Sequence, residues 1–361
     1  MGYKKYSSPR GRVEAFTGTL GIRLPILLAP MAGACPPSLS IAIANAGGLG
    51  ACGTLLMEPE AIKAWSAEFR RQSQGEFQLN LWIPGPVPVR DFKLEKQQRE
   101  YLAAWGPPVP TEAGDAELPD FEAQCQAMIA AAPKAISSIM GLYAPDFIAE
   151  LKARGILWFA TATTVAEARA AEAAGANAII AQGMEAGGHR GAFHADQGER
   201  QMVGLMALLP QVVDSVNVPV IATGGIADAR GVAAALILGA SAVQIGTGFL
   251  RSPEAMIHPA YADRLAQTEA HETMVTSAFT GRPGRSVATA YVRASAARGV
   301  PPPAPYPVQR GLTRAMREEA RKAGDADRMQ MWAGQAARLA RAEPAGSIAL
   351  QLWEDASRLL L

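Results

Sequence analysis

The chain of 361 residues carries only three cysteines, Cys35, Cys52 and Cys125. So sparse and odd a set gives no disulfide framework and no Cys-x-x-Cys metal pair, and no metal site is expected. A reducing cytoplasm is the expected compartment. Charge of one sign is also missing. Lys plus Arg total 34 and Asp plus Glu 33, a net charge of +1. That balance excludes a broad nucleic-acid footprint and a polybasic membrane patch. Aromatic residues make up 6%, so the 49% that is hydrophobic is mostly aliphatic, enough to exclude disorder over the whole chain. The N-terminal MGYKKYSSPRGRVEAF has no apolar core, so no signal peptide is expected there. No GxSxG elbow and no P-loop lysine occur, which argues against a serine hydrolase and a triphosphate site.

One absence points two ways. Residues 24–57 contain no charged side chain. A membrane-spanning helix needs about 20 predominantly apolar residues, yet this run is broken by Pro25, Pro30, Pro36, Pro37, Asn45 and several glycines. Backbone buried in a protein interior is the better reading.

Short apolar runs alternate with helical patterns of 10 to 15 residues, the signature of βα units on a parallel sheet. Such strands are buried on both faces and read as unbroken apolar runs. The expected strands are Pro25–Ala29, Leu49–Cys52, Phe77–Leu81, Ala135–Ile139, Leu157–Thr161, Ala178–Ala181, Val220–Thr223 and Ala242–Ile245. Helices are expected at Ser38–Ala46, Pro59–Arg71, Pro145–Ala153, Val165–Ala174 and Ala229–Leu238. An open doubly wound sheet fits the local pattern as well, but the count of eight favours an α/β fold of the (β/α)8 TIM-barrel type. The expected barrel spans 1–83 and 127–285. Residues 84–126, with PGPVPVRDF and WGPPVPTEAGDAELP, read as an insertion after strand three. Residues 286–361 read as a C-terminal helical cap, with helices at about 311–323 and 326–341.

Barrel active sites lie at the C-terminal strand ends. Strand seven ends in Thr223-Gly224-Gly225-Ile226 and strand eight in Gln244-Ile245-Gly246-Thr247-Gly248. Loops there often hold a phosphate, because glycine lets backbone N–H groups converge on an anion. A single phosphate on a flat cofactor fits, although tight turns alone would also need these glycines. The loop EAGGHRGAFH sets His189 among glycines after strand six, a candidate acid, base or anion partner; His194 competes for that role. Asn80 and Gln182 end buried strands, where an amide must bond protein or ligand. Arg282, Arg285 and Arg293 are candidates for a phosphate partner, and Tyr143, Tyr291, Tyr306 and Trp332 for pocket walls.

Together, APMAG at 29–33, the Asn80 strand, QGMEAGGHRG at 182–191, VPVIATGGIAD at 218–228, AVQIGTGFL at 242–250, FTGRPGR at 279–285 and WAGQ at 332–335 resemble the nitronate monooxygenase family. The resemblance implies a flavin-binding TIM barrel that oxidises alkyl nitronates with molecular oxygen, with FMN as cofactor. It implies that Met31, Ala32 and Gly33 lie beside the flavin ring. Asn80, Gln182, Gly187, Gly188 and Gln335 would contact the cofactor. Gly224, Gly225, Gln244, Ile245, Gly246 and Thr247 would hold its phosphate region. His189 would be the catalytic histidine. A nitronate or nitroalkane and oxygen are the expected partners, with neither nucleic acid nor membrane, and a homodimer is entertained. Two alternatives stay open. One is an FMN-dependent NAD(P)H reductase of the enoyl-acyl-carrier-protein or quinone type. The other is a flavin-binding protein without catalysis.

Overall fold

In the computed structural model, residues 8–360 are described. Eight strands form one parallel sheet: β1 Ile26–Leu28, β2 Gly50–Gly53, β3 Phe77–Trp82, β4 Ala135–Ile139, β5 Leu157–Ala162, β6 Ala178–Gln182, β7 Val220–Thr223 and β8 Ala242–Ile245. Their spatial order is β1-β8-β7-β6-β5-β4-β3-β2. The ring is completed at Leu49, whose carbonyl accepts from Leu28 N at 2.9 Å and whose N–H donates to Ile26 O at 3.1 Å. The chain is thus a (β/α)8 barrel, and the uncharged run 24–57 holds its first two strands with a helix between them.

Inside the barrel, Leu27, Leu49, Phe159, Ile180 and Ile221 meet Phe16, Leu20 and Ile22. The last three come from α1, Pro9–Leu20, and the turn after it. This helix plugs the N-terminal end with apolar side chains, so only the C-terminal end can open to a ligand. The register there sets Gln182 beside Thr223 and Thr223 beside Gln244, and Asn80 beside Ser137. Polar groups therefore crown an apolar barrel.

The outer layer comprises α2 Pro37–Ala46, α3 Pro59–Gln72, α5 Phe121–Ala130, α6 Pro145–Ala153, α7 Val165–Ala173, α8 Leu205–Ser215 and α9 Ala229–Ile237, with α4 Phe92–Leu102 outside it. Gly175 and Gly239 follow α7 and α9 at φ +102° and +111°, the left-handed turn that ends a helix. The insertion is shorter than expected. Helix α5 belongs to the barrel wall, for Gln124 donates to the carbonyls of Thr54, Leu55 and Met57. Only the segment before it departs from the βα pattern. Its α4 joins α11, Ala290–Ser295, and α12, Val308–Leu312, around Leu102, Phe279, Tyr291 and Leu312.

The C-terminal region is only partly a cap. Helix α10, Pro259–Gln267, together with α11, α12 and α13, Arg314–Ala323, lies outside the barrel wall, whereas α14, Ala345–Leu359, packs between α2 and α9. It is buried there along Ala345, Ile348, Ala349, Leu352 and Ala356, filling the place of a barrel helix. The helix expected over 326–341 does not form. Apart from a short turn at Ala337–Leu339, this segment is an extended strap. Its backbone groups are taken by other parts of the fold: Val287 N donates to Met331 O, Ala333 N to Arg285 O, and Gln335 N to Glu185 O. These tertiary bonds override the segment's local helix propensity. No helix among the described residues is long and apolar enough to cross a membrane. The three cysteines are free and buried.

Candidate active site

A cavity of about 680 Å³ opens at the C-terminal end of the barrel, within the roughly 300–1,000 Å³ usual for small-molecule sites. Thirteen of the fifteen site residues expected from sequence line it: Met31, Ala32, Gly33, Asn80, Gln182, Gly187, Gly188, His189, Gly224, Gly225, Gln244, Gly246 and Thr247. Ile245 and Gln335 do not. Strand alternation explains Ile245: Gln244 points to the barrel axis and Ile245 packs among the outer helices. For Gln335, the strap brings its neighbours Gly334 and Ala336 to the cavity instead.

His189 is placed by a small sheet built over the barrel mouth. Gly188–His189 pairs antiparallel with Gly284–Val287, which pairs with Thr273–Thr276. Gln182 clasps the same loop: its amide N donates to His189 O at 3.1 Å and its amide O accepts from Gly191 N at 2.8 Å. Gln182 thus spends its amide on the His189 loop. Thr247 is engaged too, its hydroxyl accepting from Gly334 N at 3.0 Å. The strap and the histidine loop cross so closely that a Cβ on Gly187 would stand 2.5 Å from Gly334 N. Only glycine fits at that crossing.

The His189 ring lies between Trp82, at 4.5 Å between centroids, and Trp332, at 4.7 Å. Its Nε2 lies 2.9 Å from the Thr280 hydroxyl. Desolvation, then the charges of Arg282 and Arg310, pushes its pKa down from 6.5 to about 3. The imidazole is therefore neutral at pH 7. Tyr306 packs against Trp82 at 5.3 Å, and burial raises its pKa to about 12, so the phenol is protonated.

The sequence candidates divide. Tyr306 and Trp332 line the cavity. Tyr143 is buried away from it, donating to Ser137 O, and Tyr291 donates to Ala278 O within the cap. The expected arginines serve the backbone: Arg282 donates to Ala192 O, Arg285 to Met184 O and Arg293 to Ala288 O. Different arginines, Arg310, Arg317 and Arg321, line the cavity. Their seven- and four-residue spacings place them on one helix face, a signal available in the sequence. Trp82 carried no such signal, and Thr280 was marked only by lying in the FTGRPGR segment. No group of three or more His, Cys, Asp or Glu able to hold a metal occurs among the described residues.

Residues 14–355 match the family model described as nitronate monooxygenase. This chain belongs to the nitronate monooxygenase family. Members of the family are flavin-dependent oxidoreductases, and the chain is an enzyme of that class. It is 38% identical to the nitronate monooxygenase of Paraburkholderia phytofirmans over 346 residues, 94% of each chain. It is 37% identical to that of Pseudomonas aeruginosa, over 95% of this chain and 99% of the relative. Among solved structures, nitroalkane oxidase of Streptomyces ansochromogenes superposes with a TM-score of 0.85 at 35% identity, covering 95% of this chain and 98% of that one. FabK of Thermotoga maritima superposes with a TM-score of 0.75 at 29% identity, covering 96% of each chain.

Proposed function

We propose that FMN binds across the barrel mouth and that alkyl nitronates such as propionate 3-nitronate are oxidised there with molecular oxygen. The residues present suit the cofactor. Gly33 and Gly188 line the cavity at φ +79° and +75°, and a Cβ on either would meet nothing within 4 Å. Glycine there leaves room for a flat ligand to approach the backbone. Gly224 and Gly225 turn at φ +117° and +69° at the end of β7, in the position suited to a phosphate. Met31 packs over Gly246, where a Cβ would meet its sulfur at 3.1 Å. Met31, Asn80 and Gln244 would face the ring system, and the two glycine loops its phosphate. When bound, the flavin supplies the electron acceptor and passes electrons on to oxygen.

The observation that carries the reading is the neutral, aromatic-flanked His189 facing this cavity. A general base works best with a pKa near the operating pH. A group that protonates near pH 3 is therefore a weak base at pH 7, poorly suited to deprotonating a neutral nitroalkane. It is suited to hydrogen-bonding a nitronate that is already ionised. Arg310 lines the same cavity and acts on His189 by its charge, so it supplies the positive counterpart. Trp82 and Trp332 flank the imidazole and fix its plane.

Oxygen consumption with propionate 3-nitronate tests this role. His189→Ala, which removes the hydrogen-bonding ring, is expected to lower kcat/KM by at least about a hundredfold while the variant still retains flavin. Unchanged turnover would make His189 a bystander and overturn the reading. The likeness to FabK keeps an NAD(P)H-dependent reductase as the second reading.

A further inference from the structure

The cavity that His189 lines also carries a cationic wall that a small nitronate does not need. Arg310 lies on α12, and Arg317 and Arg321 lie on α13. Thr313 between the two helices keeps near-helical angles, φ −85° and ψ −2°. At about 100° per residue the three arginines fall within an arc of roughly 40°, and Arg321 stands about 16 Å along the axis from Arg310. All three line the cavity.

None of the three is neutralised. Among the described residues, the Arg310 and Arg321 guanidinium groups have no hydrogen bond or ion pair. Arg317 donates to the Thr313 hydroxyl, the Gln330 side-chain carbonyl and Arg310 O, and to no carboxylate. By contrast Arg314, on the same helix, is paired with Glu318. Burial and the charge of Arg310 push the Arg317 pKa down to about 10, so the like charges repel. The Tyr306 hydroxyl, also on the cavity wall, is buried without a hydrogen-bond partner. Unpaired cations in a row beside an unsatisfied donor describe a site for a ligand rich in anionic oxygens.

We propose that Arg310, Arg317 and Arg321 form a binding rail for an organic diphosphate, the tail of an elongated ligand whose other end reaches His189. Guanidinium groups match phosphate oxygens in a two-pronged geometry. A short nitronate held at His189 spans only a fraction of the rail. Both a dinucleotide such as NADPH and a coenzyme A conjugate carry this diphosphate. The glycine loops after β7 and β8 remain for the flavin phosphate.

The test is calorimetric titration of the flavin-loaded enzyme with inorganic pyrophosphate, coenzyme A and NADPH, at low and high salt. Because it reads binding and not turnover, it stands apart from the nitronate reading. Salt-sensitive binding of pyrophosphate is expected, with tighter binding of whichever organic diphosphate fits. Arg321→Gln, at an exposed position, should weaken that binding about tenfold, and Arg317→Gln at least as much. Arg358→Gln, on α14, should leave it unchanged. A thermal melt of each variant guards against misfolding. Absence of binding for all three ligands at millimolar concentration overturns the proposal. Equal affinity in Arg321→Gln does so too, as does release of flavin by pyrophosphate, which would give the rail to the cofactor phosphate.

Discussion

Replacing His189 with Gln removes a titrating group while keeping a hydrogen-bonding side chain, so the pH dependence of stability should change in a calculable way. Folding lowers the His189 pKa from 6.5 to about 3. Between those values the unfolded chain binds a proton that the folded protein refuses. The stability tied to this group is thus complete above pH 6.5 and is lost as pH falls towards 3. Moving from pH 7.5 to pH 5.0 costs about 2 kcal/mol from His189 alone, and the full shift is worth about 5 kcal/mol. Urea unfolding at pH 7.5, 6.0 and 5.0 measures it. The wild type should lose about 2 kcal/mol more than His189→Gln over that range. Identical losses would refute the claim that the imidazole is buried neutral, and with it the argument against a base. The same claim predicts no limb near pH 6.5 in kcat/KM for a nitronate substrate.

Gly224→Ala should weaken flavin binding by one to two orders of magnitude, measured as free flavin fluorescence after ultrafiltration, because φ +117° is strained for alanine and its Cβ would press on Ala186 N at 3.1 Å. On the barrel wall, Phe69 is fully buried against Trp65 and Phe77, with ring centroids 5.6 and 4.7 Å away. Phe69→Ala should therefore cost about 3–5 kcal/mol in urea unfolding, with flavin binding retained at low urea.

The barrel was legible because parallel strands buried on two faces leave a plain trace. The apolar runs at Ala135–Ile139, Val220–Thr223 and Ala242–Ile245 match the observed strands end to end. Glycine loops were legible for a related reason, since positive φ and close approach admit few other residues. What stayed hidden depends on contacts distant in sequence. The strap at 326–341 has good helix formers, but its hydrogen bonds run to Arg285, Val287 and Glu185. Helix α14 looks like an appendage in the chain and is a barrel helix in space. The sequence pattern sets Gln182 at the end of its strand, yet only the structure assigns its amide to the histidine loop. Arg310 meets His189 electrostatically across more than a hundred residues of chain, and no local pattern records that meeting.

The account rests on electrons entering from a nitronate. Anaerobic mixing of the flavin-loaded protein with propionate 3-nitronate, and separately with NADH and NADPH, tests this by flavin absorbance. The account predicts rapid bleaching by the nitronate and reoxidation when oxygen is admitted. Rapid bleaching by a pyridine nucleotide alone, with none by the nitronate, would contradict it and make the protein a reductase.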